Sequence, residues 1–172
     1  LVFSTYLGGS NDETSNAIQV RHGSAFIIGV TVSKDFPTTP GVIQPKSAGS
    51  TDAFVARFSE TGRLVFSTYL GGSNYDAGEN LAVDSIGNVY AVGFTQSPDF
   101  KTTPGVLMSS YPGSPASSGF VTILDSHGVR VRASTFFGSV HGSNMSVGTV
   151  VDSIGLVPGT GLAIAGATDA TD

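Results

Sequence analysis

Two polar loops hold the residues best suited to chemistry. Asn11, Asp12 and Glu13 stand in residues 9–16, and Asn74, Asp76 and Glu79 in residues 72–80. Carboxylates and amides gathered on Gly/Ser-rich turns offer the hard oxygen donors that Ca²⁺ takes in sets of six to eight. The Asp-x-Asp-x-Asp-Gly spacing of an EF-hand is missing, and Asn, Asp and Gly also build turns. Asn11, Asp12, Asn74, Asp76 and Glu79 are therefore held as calcium candidates only. No catalytic, cofactor-binding or metal residue is assigned, and no cofactor is required.

Other polar residues give less. Asp35 and Asp99 follow Thr31 and Thr95 by four residues, as Asp172 follows Thr168. Three such carboxylates could ring one end of a channel, but short-range acceptance of backbone N–H groups is the simpler use. His22, His127 and His141 occupy non-equivalent places without a second ligand at metal spacing. No Gly-x-Ser-x-Gly elbow supports a serine nucleophile. Tyr6, Tyr69 and Phe136 alternate with the apolar residues of one recurring segment. They could stack on sugars, although packing is the commoner role of strand aromatics.

The elements that would position these groups come from repetition. LVFSTYLGGSN at 64–74 is identical to residues 1–11, and a diverged copy, VRASTFFGS, occupies 131–139. FPTTPGV (36–42) returns as FKTTPGV (100–106), and DAFVARF (52–58) as SGFVTIL (118–124). LAVDSIGNVYAVGFT (81–95) is echoed at 18–31 and again within 149–168. One repeat region thus spans 1–172, in units of approximately 1–63, 64–130 and a truncated 131–172.

Each unit reads as four short strands. The 64–70 segment alternates Leu64, Phe66, Thr68 and Leu70 toward the core with Val65, Ser67 and Tyr69 on a wetter face, as suits a sheet edge. A polar loop at 71–80, a short strand at 81–83 and a turn at 84–88 follow, with Gly87 fit for a positive φ. Residues 25–31, 89–95 and 162–168 are almost wholly apolar, so these strands are expected to be buried on both faces. Each carries one interior glycine, Gly29, Gly93 or Gly166, the mark of a bulge or close backbone approach. Thr-Thr-Pro-Gly turns sit in the long connections, and no helical period persists.

The expected fold is all-β: β-propeller blades of four antiparallel strands each. One strand, then four, four and two make about 2.75 blades, a partial or open propeller. The segments FSTYLGG, AVDSIGNVYAVGFT, DFPTTPGV and DAFVARF resemble the SBBP-type β-propeller repeat of bacterial secreted and surface proteins. The resemblance implies a scaffold attached to larger extracellular or cell-surface proteins, and no shared catalytic residues.

Composition agrees with a core-forming β protein: 172 residues, 40% hydrophobic, 12% charged, 23 glycines and 8 prolines. A net charge of −5 and no basic run argue against nucleic-acid partners. No apolar run is long enough for a membrane span, and no cysteine is present. The expected function is a non-enzymatic scaffold or interaction module, with a filament or surface assembly as one version of that role. Protein or glycan partners, or neighbouring copies, would meet it through loops 34–51 and 101–117, which differ between otherwise matching units. The alternative is a fragment of a propeller enzyme, a glycosidase or lyase, whose catalytic residues lie outside this chain.

Overall fold

A computed structural model of the chain describes residues 3–112, 117–138, 148–157 and 161–168. Among these residues there is no helix. Ten strands form three antiparallel sheets. Sheet I contains β1 (Glu13–Arg21), β2 (Ser24–Thr31), β3 (Asp52–Phe58) and β4 (Leu64–Leu70), hydrogen-bonded in that order. Sheet II repeats it with β5 (Asp76–Val83), β6 (Val89–Thr95), β7 (Ser118–Leu124) and β8 (Val131–Phe137). Sheet III pairs β9 (Val150–Val157) with β10 (Gly161–Ala167). Four-stranded sheets joined head to tail are propeller blades, and the array is not closed into a ring.

Blade phase differs from the unit boundaries drawn from the repeat. The 64–70 strand does not open a blade; it pairs with β3 and is the outermost strand of sheet I. Its identical letters mark a recurrence, but pairing is set by the neighbouring β3 through the turn at 59–63. The first strand of each sheet is also longer than expected. β5 begins at Asp76, inside what reads as a polar loop. A register shift between Gly78 and Asn80 breaks the alternation that would have revealed it.

The interior glycines do what their position implies. A Cβ on Gly29, Gly93 or Gly166 would lie 2.0 Å from Thr14 O, 1.9 Å from Ala77 O or 1.9 Å from Val150 O, respectively. Each glycine admits the bulge of the adjoining first strand, at Asn16, Glu79 or Asp152, the residues the register skips. At 84–88, Gly87 has φ 89° and donates its N–H to Asp84 O.

The main core lies between sheets I and II, where Ile28, Val55 and Phe66 meet Val83, Ala91 and Phe120. A second cluster on the opposite face of sheet I joins Phe36, Phe54, Phe58 and Tyr69, with Leu7 against it. Val92, Val121 and Val151 link sheets II and III. β2 and β6 are largely buried, as their apolar runs require, but β10 is mostly exposed. Among the described residues it pairs only with β9, so the double-sided cover expected for 162–168 is absent there.

Candidate interaction rim

The two Gly-Gly-Ser-Asn loops build a hydrogen-bonded clasp at one end of sheet I and of sheet II. In the second unit, Asp76 accepts N–H from Gly72 at 2.7 Å and O–H from Ser97 at 2.8 Å, and Thr95 donates its hydroxyl to the other carboxylate oxygen. Asn74 donates its N–H to Ser97 Oγ at 2.9 Å, and Ser73 donates N–H and O–H to Asp99 at 2.8 and 2.9 Å. The first unit repeats the set with glutamate for aspartate. Glu13 accepts from Gly9 N–H and Thr31 O–H, Asn11 donates to Ser33, and Ser10 donates twice to Asp35. The clasp thus joins the loop that follows an outer strand to the first two strands of the next sheet.

Electrostatics inside the clasp run in opposite directions. Burial pushes the Asp76 carboxyl above the ordinary carboxylate range, against its three donors, and the neighbouring Asp52 adds to the rise. N–H donation from Ser73 holds Asp99 below that range, and Ser10 does the same for Asp35. Asp52 is also fully buried and accepts from Ser47 Oγ at 2.6 Å and Ala48 N–H at 3.2 Å. Gly71 lies between the two buried aspartates, since a Cβ there would meet both carboxylates.

The calcium candidates are spread out by this geometry. Asp76 is enclosed by its donors, Asn74 donates Nδ2–H to Gln96 O at 2.9 Å, and Asn11 lies on the exposed loop. Asp12 and Glu79 instead line a cleft of about 310 Å³ between sheets I and II, where burial raises Glu79 and Asp152 adds to the rise. Among the described residues no three His, Cys, Asp or Glu side chains converge. His22 contacts Ser85 O at 3.2 Å and His127 contacts Ser126 Oγ at 3.1 Å. His141 and Asp172 lie outside the described residues.

The three aromatics separate. Tyr69 is not on a wet face: it is buried, donates O–H to Ser33 O at 2.8 Å and accepts Phe36 N–H at 2.9 Å. Phe136 is buried against Phe100 and Tyr111. Tyr6 is fully exposed. What covers Tyr69 is the long β2–β3 connection, which folds back along β4. Thr39 N–H bonds Ser67 O, and Tyr69 N–H bonds Gln44 O. The β6–β7 connection does the same on β8, through Thr103 to Ser134 O and Phe136 to Met108 O. Each Pro-Gly turn protrudes, with Gly41 at φ 82° and Gly105 at φ 75°. Lys46, Lys101 and Leu107 are exposed on these connections.

With clasp and sheet in view, residues 65–101 match the family model described as SBBP, beta-propeller repeat. That stretch is an SBBP repeat. The match runs from β4 through the Gly-Gly-Ser-Asn clasp and β5–β6 to Lys101, so it spans the junction between two blades. No curated protein matches the chain. The match supports a repeat scaffold or interaction module, and no helix among the described residues is long and apolar enough to cross a membrane.

Proposed function

We propose that the chain is a non-enzymatic propeller-repeat module of an extracellular or cell-surface protein, presenting a protein- or glycan-binding rim on its long connections. The observation that carries this reading is a division of labour within one repeat. The clasp and bulge residues recur between units, whereas 34–51 and 101–117 differ at exposed positions, Pro45 and Lys46 against Ser109 and Ser110, and half-buried Ile43 against exposed Leu107. A frame held by buried polar bonds that carries variable solvent-facing loops is how rigid scaffolds display recognition residues. The perturbed carboxylates support the same reading, because Asp76, Asp99 and Asp35 each hold turn or loop donors.

The test is binding of fluorescently labelled chain to intact bacterial cells and to immobilised cell-surface glycans. Binding is expected, and Lys101→Glu with Leu107→Ser should abolish it at unchanged melting temperature. Binding insensitive to both loops, or hydrolysis of model glycosides above the buffer rate, would overturn the proposal.

A further inference from the structure

The two complete sheets differ in what covers one face. In sheet II that face carries Leu81 and Val83, which are 5% and 1% exposed against sheet I. Strand register identifies their counterparts. Leu81 pairs with Ala91 and Val83 with Val89, while Ile18 pairs with Ile27 and Val20 with Ala25, the same distances from Gly93 and Gly29. Ile18 and Val20 are 65% and 68% exposed. Two aliphatic side chains at core positions of the repeat thus face solvent on sheet I, where nothing among the described residues covers them.

The structure also holds part of what belongs there. Residues 3–7 carry the letters of β4 and already lie on sheet I as β4 lies on sheet II. Leu7 packs against the Phe54 and Tyr69 cluster, as Leu70 packs in the core between the sheets. Phe3 sits against Gly62, where a Cβ would approach its ring to 2.8 Å, and Phe66 sits against Gly128, with 2.5 Å for the same test. The loop after residue 7 then makes the clasp bonds to sheet I that residues 71–74 make to sheet II. β4 owes this position to three strands inboard of it. Residues 3–7 hold the place of an outer strand, with no strand among the described residues paired beside them.

From this we infer that the open face of sheet I is the docking surface for a three-stranded antiparallel sheet of the same repeat, which completes a blade inboard of residues 3–7 and covers Ile18 and Val20. A second copy docking through its sheet III fits less well. β9 and β10 supply two strands, leaving a strand's width of about 4.8 Å between β10 and residues 3–7. The inference rests on the repeat-scaffold reading, but a melting shift tests it whereas surface binding tests that reading, so each can fail alone.

A direct test attaches a second copy of residues 13–63 ahead of Leu1. Joining Arg63 to Leu1 recreates the natural Arg63–Leu64 junction, because the next eleven residues are identical. The melting temperature should rise by about 5 °C or more. Amides of residues 3–7 should exchange fast in the 172-residue chain and become protected in the extended one. Ile18→Asp with Val20→Asp in the resident sheet alone should remove the rise, and should shift the unextended chain by less than about 2 °C. An extension that is digested without any rise in melting temperature overturns the inference. So does an unextended chain that sediments as a dimer and is dissociated by the same two substitutions, which would make a second copy the occupant.

Discussion

Residues 3–7 and 66–70 share letters and differ in state. At 66–70 the strand is buried by β3 on one side and by the 39–44 connection on the other; at 3–7 there is no strand and Tyr6 is fully exposed. Local propensity is equal by construction, so the difference measures what partners contribute. β structure in this repeat is conferred by pairing and burial, in keeping with the context dependence of β propensity.

The largest expected break in that equality is at the aromatic rings. Phe66→Ala should cost about 3–5 kcal/mol, the range for a fully buried phenylalanine, and Phe3→Ala less than about 1 kcal/mol. Urea unfolding of both variants measures the pair; equal losses would mean that residues 3–7 are as well packed as β4. Next come the clasp carboxylates. Asp76→Ala strands two buried hydroxyls and the Gly72 N–H, at about 2–4 kcal/mol, whereas Glu13→Ala at the half-exposed first clasp should cost about 1 kcal/mol.

Smaller, and of opposite sign within one clasp, are the pH effects. Asp76 has its folded-state pKa raised by burial, so its contribution to stability is complete below the ordinary carboxylate range and is lost as pH rises through the raised value. Asp99 is lowered by Ser73 N–H, so its contribution is present above the ordinary range and lost as pH falls through the lowered value. Stability should therefore increase on mild acidification from neutrality and fall again at stronger acid. Asp76→Asn should flatten the first limb and Asp99→Asn the second, as read from denaturation midpoints at fixed salt. The smallest effect is that of calcium: with its candidate donors divided between two clasps and a cleft, millimolar Ca²⁺ should move the melting temperature by less than about 1 °C.

Much of the frame could be read from residue types. The interior glycines announced the bulges, Gly87 the turn, and the apolar runs at 25–31 and 89–95 the buried second strands, because each is a local steric requirement. Blade phase could not be read that way. Whether 64–70 begins or ends a sheet depends on hydrogen bonds to 53–58, and alternation within a strand carries no sign of its partner. Tyr69 was legible as aromatic and not as buried, because its cover comes from a connection more than twenty residues earlier. The clasp lay between these cases. Backbone acceptance by Asp35 and Asp99 follows from their spacing, whereas the roles of Ser33, Ser97, Glu13 and Asp76 did not surface. A signal existed in the paired recurrence of Thr-x-Ser-x-Asp and Gly-Gly-Ser-Asn-x-acid, read together instead of apart.

The connections that lie along β4 and β8 have one more consequence. An outer strand ordinarily presents a row of free amides and carbonyls to any other extended chain, and is where β proteins stick to one another. Here Ser67, Tyr69, Ser134 and Phe136 already spend backbone groups on 39–44 and 103–108, whose prolines cannot continue a ladder. Sideways fibre-like association is blunted at sheets I and II while their faces remain available, so blades of this kind can stack without their outer strands becoming prone to aggregate.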